Sequence, residues 1–269
     1  MERIAALPMY DFPELRDAHD AFWSALSRRL IEAGVEETPP RLTRHMDHFD
    51  TWRHPSLLFG QGCEYPLAEY FAESIRLVAT PRYTAPGCDG TTYRSAIVVH
   101  AESPAASLED LRHGRCAVNE ITSNSGMNLL RASIAPLANG ARFFGSVLFS
   151  GSHRKSVDMV AGGEADVAAV DCVSLAHFRR FDPSAASRLR VLDWTPASPS
   201  LPFITAAATD DTTLQILRSS LAAVLADPRL DSIRDLLFLE GAGLEPDPSF
   251  TQVLRVKHRA TESGYAVLC

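Results

Sequence analysis

Residues 143–171 read FFGSVLFSGSHRKSVDMVAGGEADVAAVD. The run 143–149 is apolar and β-prone, and it stops at Ser150-Gly151-Ser152-His153. Val157 and Val160 follow at helical spacing, and Gly162-Gly163 ends that helix. Residues 165–170 are almost wholly apolar, the pattern of a strand buried on both faces, with Asp171 at its carboxyl end. Strand, loop, helix and strand in this order predict a parallel β-α-β unit.

The same alternation runs outward. Residues 2–7 read as a strand. Asp11 is the expected N-cap of a helix with Pro13 in its first turn. Leu15, Phe22, Trp23, Leu26 and Leu30 carry that helix, and Gly34 stops it. A strand is expected at 40–44, then a loop at 60–63, a short helix at 66–71 and a strand at 74–80. Further strands are expected at 92–101, 116–119, 189–193 and 202–208. Ser107 starts a capped turn, and Ser123-Asn124-Ser125-Gly126 opens a helix through Leu129, Leu130 and Ile134. The Pro-rich stretch 195–202 reads as a surface connector. Helices are expected at 214–225 and 230–239. The fold class is α/β with mostly parallel sheets and no internal repeat.

Composition limits the function. The chain has 269 residues, 26 Lys plus Arg and 33 Asp plus Glu, for a net charge of −7. A hydrophobic share of 46% excludes a disordered chain. The acidic balance argues against a nucleic-acid partner. No apolar run nears the roughly 20 residues that cross a bilayer, so no membrane insertion is expected. No secretory signal opens the sequence, which points to the cytoplasm; a trimmed or misassigned start would point to the periplasm instead. The five cysteines are scattered without C-x-x-C spacing, so neither a disulfide framework nor a zinc knuckle is expected.

In open α/β sheets, ligands bind outside the carboxyl ends of the strands. There the sequence places Tyr10, Gln61, Ser123, Asn124, Ser125, Gly126, Ser152, His153 and Asp171. Two of these loops are rich in Ser and Gly and open helices. A first helical turn has unpaired N–H groups and partial positive charge, and glycine lets an anion approach the backbone. Together they suit an oxyanion. Plain N-capping explains most single loops of this kind. The nucleophile elbow G-x-S-x-G, the phosphate loop and H-E-x-x-H are all absent. An enzyme would have to use Cys63, His153 and Asp171. His45, Asp47, His48, Asp50 and His54 form the densest metal-type cluster, but Pro39, Pro40 and Pro55 limit a helix there. A polar loop is the simpler reading, and no cofactor or metal is expected.

The ordered loops carry a family resemblance. Tyr93 to Val99, Ser107 to Leu111, Ala117-Val118-Asn119, Ser123 to Met127, Phe149 to His153, Val160 to Asp166 and Ala169-Val170-Asp171 resemble the phosphate/phosphite/phosphonate substrate-binding proteins of ABC transporters. Gln61-Gly62-Cys63 and Tyr65-Pro66-Leu67 resemble that family's Gln-x-Cys-Gly-Tyr-Pro-Leu segment, with Glu64 replacing Gly. The resemblance implies a two-lobed type II periplasmic-binding-protein fold, with two mixed sheets joined by two crossing strands. One lobe would hold residues 1–94 with 205–269 and the other 95–204, with the ligand cleft between them. It implies non-enzymatic binding of a small oxyanion, phosphate, phosphite or phosphonate, with an ABC permease as partner. The chain itself would be a monomer or weak dimer. Ser123, Ser125 and His153 would grip the anion, helped by Asn124, which replaces Thr, by Gly126 and by Ser152. Tyr10 and Gln61 would cap it. Arg154 and Lys155 would favour a more anionic ligand if they face the cleft. The alternatives are an enzyme or an intracellular ligand-sensing module on the same fold.

Overall fold

A computed structural model describes residues 2–243 and 250–269. Its first six strands are β1 (Ile4–Ala6), β2 (Leu57–Gln61), β3 (Ile75–Tyr83), β4 (Thr92–Tyr93), β5 (Ser95–His100) and β6 (Arg115–Val118). The others are β7 (Ser146–Phe149), β8 (Val167–Asp171), β9 (Leu189–Trp194), β10 (Ser198–Pro199), β11 (Phe203–Ala206) and β12 (Leu239–Gly243). The helices begin with α1 (Arg16–Glu32), α2 (His48–Trp52), α3 (Glu64–Pro66), α4 (Leu129–Ala138) and α5 (His153–Ala161). They continue with α6 (Cys172–Phe181), α7 (Pro183–Ala186), α8 (Asp211–Leu225), α9 (Asp231–Leu236) and α10 (Phe250–Glu262). Two compact units result, Met1–Thr84 with Ser200–Ser249, and Ala85–Pro199 with Phe250–Cys269.

The first unit is built on the sheet β1-β2-β11-β3-β12. β1 and β2 are parallel, while β11 and β12 run antiparallel to their neighbours. The apolar stripe of α1 is buried as its spacing requires: Leu15, Phe22, Trp23, Leu26 and Leu30 are each at most 1% exposed. Phe59 stacks on Phe203 with centroids 5.1 Å apart, and Trp23 stacks on Phe59 at 6.0 Å. The indole N–H of Trp23 donates to Pro39 O at 3.0 Å, which satisfies the polar edge of a buried ring.

Several local expectations are corrected in this unit. Asp11 does not cap a helix. The chain enters α1 through a 3₁₀ turn, Pro13–Leu15, and the Asp11 carboxylate accepts from Arg44 Nε at 2.7 Å. Residues 40–44 form no strand, and Thr43 only donates one N–H to Ala5 O. Gly60 and Gln61 belong to β2 rather than to a loop, because the run Leu57–Gln61 is buried throughout. The helix expected at 230–239 ends early. Phe238 takes a positive φ of 52°, and β12 follows.

The second unit has the sheet β7-β6-β8-β5-β9. β6 is parallel to β7 and β8, and β5 is antiparallel to β8 and β9, so both sheets are mixed and not mostly parallel as the strand–helix alternation suggests. Residues 195–202 are not a surface connector. Thr195, Ser198 and Ser200 are at most 1% exposed, and β10 pairs with β4. A proline is tolerated in so short an edge pairing because few ladder donors are required.

The C-terminal segment also departs from the expected lobe boundaries. Helix α10 packs on α4, and Arg131 Nη1 donates to Ala266 O at 2.8 Å. The N–H groups of Phe143 and Phe144 both donate to Cys269 O. Among the described residues, no helix is long and apolar enough to cross a membrane.

Candidate functional site

Three adjacent parallel strands, β7, β6 and β8, each end in a capped helix start. The apolar strands carry the chain to one edge of the sheet, where Ser123, Ser152 and Asp171 cap the helices that follow.

After β6, Ser123 takes an extended backbone, and its Oγ accepts from Gly126 N at 3.0 Å. The helix opens with a π-helical turn, Asn124–Asn128, in which Asn128 N donates to Ser123 O at 3.0 Å. Such turns are rare and recur at functional sites. Gly126 is required sterically: a Cβ there would lie 1.8 Å from Asn119 Oδ1. The loop after β7 runs beside this one. Ser150 N and Gly151 N donate to Val118 O and Asn119 O, both at 2.9 Å. Ser152 Oγ then caps α5 by accepting from Lys155 N at 3.2 Å.

One side-chain contact joins the two helix starts: Ser125 Oγ lies 2.8 Å from His153 Nε2. The other ring nitrogen, Nδ1, is enclosed and has no hydrogen-bond partner among the described residues, and the same is true of Asn119 Oδ1. Burial lowers the His153 pKa from 6.5 to about 4, so the ring is neutral at neutral pH. A neutral imidazole has one N–H and one acceptor nitrogen in either tautomer. The site can therefore offer hydroxyl, imidazole and first-turn N–H donors aided by two helix dipoles, with no formal positive charge on the histidine. Among the described residues, no carboxylate accepts from Nδ1. Asp171 instead caps α6, its Oδ1 accepting from Ser174 N at 2.9 Å.

The other sequence-derived residues have structural partners. The Asn124 amide, expected to donate to an anion, donates to Tyr93 Oη at 3.2 Å and Ser198 Oγ at 2.8 Å. Its Oδ1 accepts from Asn128 Nδ2 at 3.0 Å. Asn128 Oδ1 in turn accepts from Arg131 at 2.7 Å. Arg154 does not stand free for a ligand. It pairs with Asp182 at 2.9 Å and lies over the Phe178 ring. In the first unit, Gln61 is 2% exposed, and its amide donates to Tyr83 Oη and Leu201 O. Tyr10 is buried edge-on to Tyr83 at 5.6 Å. Asp47 caps α2, and among the described residues no three His, Cys, Asp or Glu groups gather into a metal-type cluster.

Sequence reasoning missed the roles of Asn119, Asn128 and Ser198. Asn119 carried a usable signal, a polar residue directly after the buried strand Cys116–Val118. Asn128 and Ser198 carried none, because their partnership depends on tertiary contact.

The family described as ABC transporter, phosphonate, periplasmic substrate-binding protein matches residues 4–241, and the chain belongs to that family. It is accordingly a solute-binding protein of the transporter type with a type II periplasmic-binding-protein-like fold. Among solved structures, the chain is similar to a binding-protein component of an ABC phosphonate transporter from Pseudomonas aeruginosa. The identity is 15%, covering 98% of this chain and 88% of that one, with a TM-score of 0.77. PhnD1 from Prochlorococcus marinus, in complex with methylphosphonate, is 14% identical over 97% of this chain and 99% of its own, with a TM-score of 0.76. XAC2383 from Xanthomonas citri, bound to ATP, is 16% identical over 98% of both chains, with a TM-score of 0.72. No curated protein sequence matches this chain at a significant level.

Proposed function

We propose that the chain binds a small phosphorus oxyanion, phosphate, phosphite or phosphonate, without transforming it. The anion lies at the helix starts Ser123–Gly126 and Ser152–His153. Ser123, Ser125 and His153 supply side-chain donors, and the first turns supply N–H groups. The observation that carries this reading is the Ser125–His153 contact, which ties two helix starts together beside an enclosed and unpartnered imidazole nitrogen. Asn124 and Gly126 shape the first loop, and Asp171 holds the third helix start. The family supports a permease as the partner that receives the solute, and supports exposure to the periplasm. The methylphosphonate carried by PhnD1 and the phosphonate transport named for the Pseudomonas protein support the ligand class. The family, one of transporter solute-binding proteins, supports a non-enzymatic reading.

Titration calorimetry with phosphate and methylphosphonate tests the assignment. Ser125→Ala and His153→Ala are each expected to weaken binding by about 1–3 kcal/mol, as an anion oxygen loses a donor. Arg154→Ala is expected to leave the affinity within about threefold, because that side chain is engaged with Asp182 and Phe178. Unchanged affinity in both the Ser125 and His153 variants contradicts the site.

A further inference from the structure

The turn before β4 brings Cys88 Sγ to 3.4 Å from Cys172 Sγ, although the two residues are 84 positions apart. Cys172 is 1% exposed at the first position of α6, directly after Asp171, whereas Cys88 is partly exposed. The close approach is built into the backbone. Gly87, at φ +105°, sits where a Cβ would meet Trp194 at 2.6 Å and Cys172 Cβ at 3.0 Å, so only glycine lets the turn lie this close. Cys88 N donates to Ala85 O at 3.0 Å, and Cys172 N donates to Arg94 O at 3.2 Å, which fixes both cysteines from the main chain.

We propose that Cys88 and Cys172 are an oxidisable pair that closes a disulfide, stapling residues 85–90 to the start of α6. The sulfurs need move only from contact to the bonding distance of about 2.05 Å. The oxidant is a disulfide of the form RSSR, reacting by thiol–disulfide exchange. Partly exposed Cys88 loses its proton and attacks one sulfur of RSSR, breaking that S–S bond and releasing one thiol, RSH. Cys172 then loses its proton and attacks Cys88 Sγ, releasing the second RSH. Two protons and two electrons leave the cysteines, and one RSSR becomes two RSH. Membership of a family described as periplasmic places such chemistry in a compartment where disulfides persist. The staple adjoins Asp171 but involves none of the proposed anion donors, so it stands apart from the binding proposal.

Oxidised glutathione is the probe, with thiol counting, intact mass and peptide mapping as readouts. The wild-type chain is expected to lose two of its five thiols, retain no glutathione and yield a linked Cys88–Cys172 peptide pair. Cys172→Ala should stop at a glutathione adduct on Cys88, and Cys88→Ser should leave Cys172 unmodified. The oxidised wild-type chain should melt several degrees above the reduced one, a difference absent from Cys88→Ser. Five remaining thiols, a stable glutathione adduct on wild-type Cys88, or a bridge through Cys63, Cys116 or Cys269 would each overturn the proposal.

Discussion

Asn124→Ala is expected to lower the unfolding free energy by about 2–4 kcal/mol, read from urea denaturation. Its amide makes three hydrogen bonds, to Tyr93, Ser198 and Asn128, and each of these residues is at most 1% exposed. Alanine leaves their polar groups enclosed without that partner, and a buried orphan costs about 1–3 kcal/mol. The three losses do not add fully, because Asn128 keeps its bond from Arg131. The damage should spread, since Tyr93 and Ser198 face each other across the β4–β10 pairing that Asn124 ties to the start of α4. Asn124→Thr should recover part of the loss, as a hydroxyl can serve one partner but cannot span all three. A loss below about 0.5 kcal/mol in the alanine variant would show that the network is not structural.

The second large effect is on acid stability. His153 titrates at about 4 in the folded chain and near 6.5 when unfolded. Between those values the unfolded chain takes up a proton that the folded chain refuses. Stability from this group is therefore complete above pH 6.5 and is lost as the pH falls towards 4. At about 1.4 kcal/mol per pKa unit, the loss reaches roughly 3 kcal/mol at the acid end. His153→Gln cannot titrate, so the wild-type chain minus the variant should show this slope in urea denaturation at pH 7.5, 6, 5 and 4. The carboxylates held low by arginine, such as Asp166 beside Arg115, begin to lose their contribution as the pH falls into the ordinary carboxylate range, and they are common to both proteins. A bound anion should raise the His153 pKa and flatten the slope. Parallel profiles for the two proteins would contradict burial of a neutral ring.

The parts of the fold that could be read from the sequence are those where local pattern and tertiary environment agree. The stripe of α1 and the strand at Val167–Asp171 are continuous local signals, and both lie where the sequence places them. Residues 195–202 mislead because proline and serine imply solvent, whereas here Thr195 Oγ1 accepts from Ser95 N at 2.9 Å inside the unit. Asp11 misleads because a residue suited to capping has a better partner, Arg44, 33 positions away. The candidate site divides in the same way. Ser-x-x-Gly and Gly-Ser-His mark the helix starts locally, so the caps Ser123 and Ser152 lie where the sequence places them. That Asn124 holds the second unit together depends on Ser198, 74 positions on, which no local pattern shows. The nearness of Cys88 and Cys172 was hidden for the same reason, since spacing along the chain does not report a contact made by the turn at Gly87.

The most direct test of oxyanion binding is thermal unfolding of the purified chain against phosphate, phosphite, methylphosphonate, an aminoalkylphosphonate, sulfate and small carboxylates. A ligand at 100 times its dissociation constant stabilises the folded chain by about 2.7 kcal/mol, a shift of several degrees. The expected result is such a rise with at least one phosphorus oxyanion, clearly reduced in His153→Ala. No rise with any of them, or a rise only with sulfate or a carboxylate, would contradict the assignment.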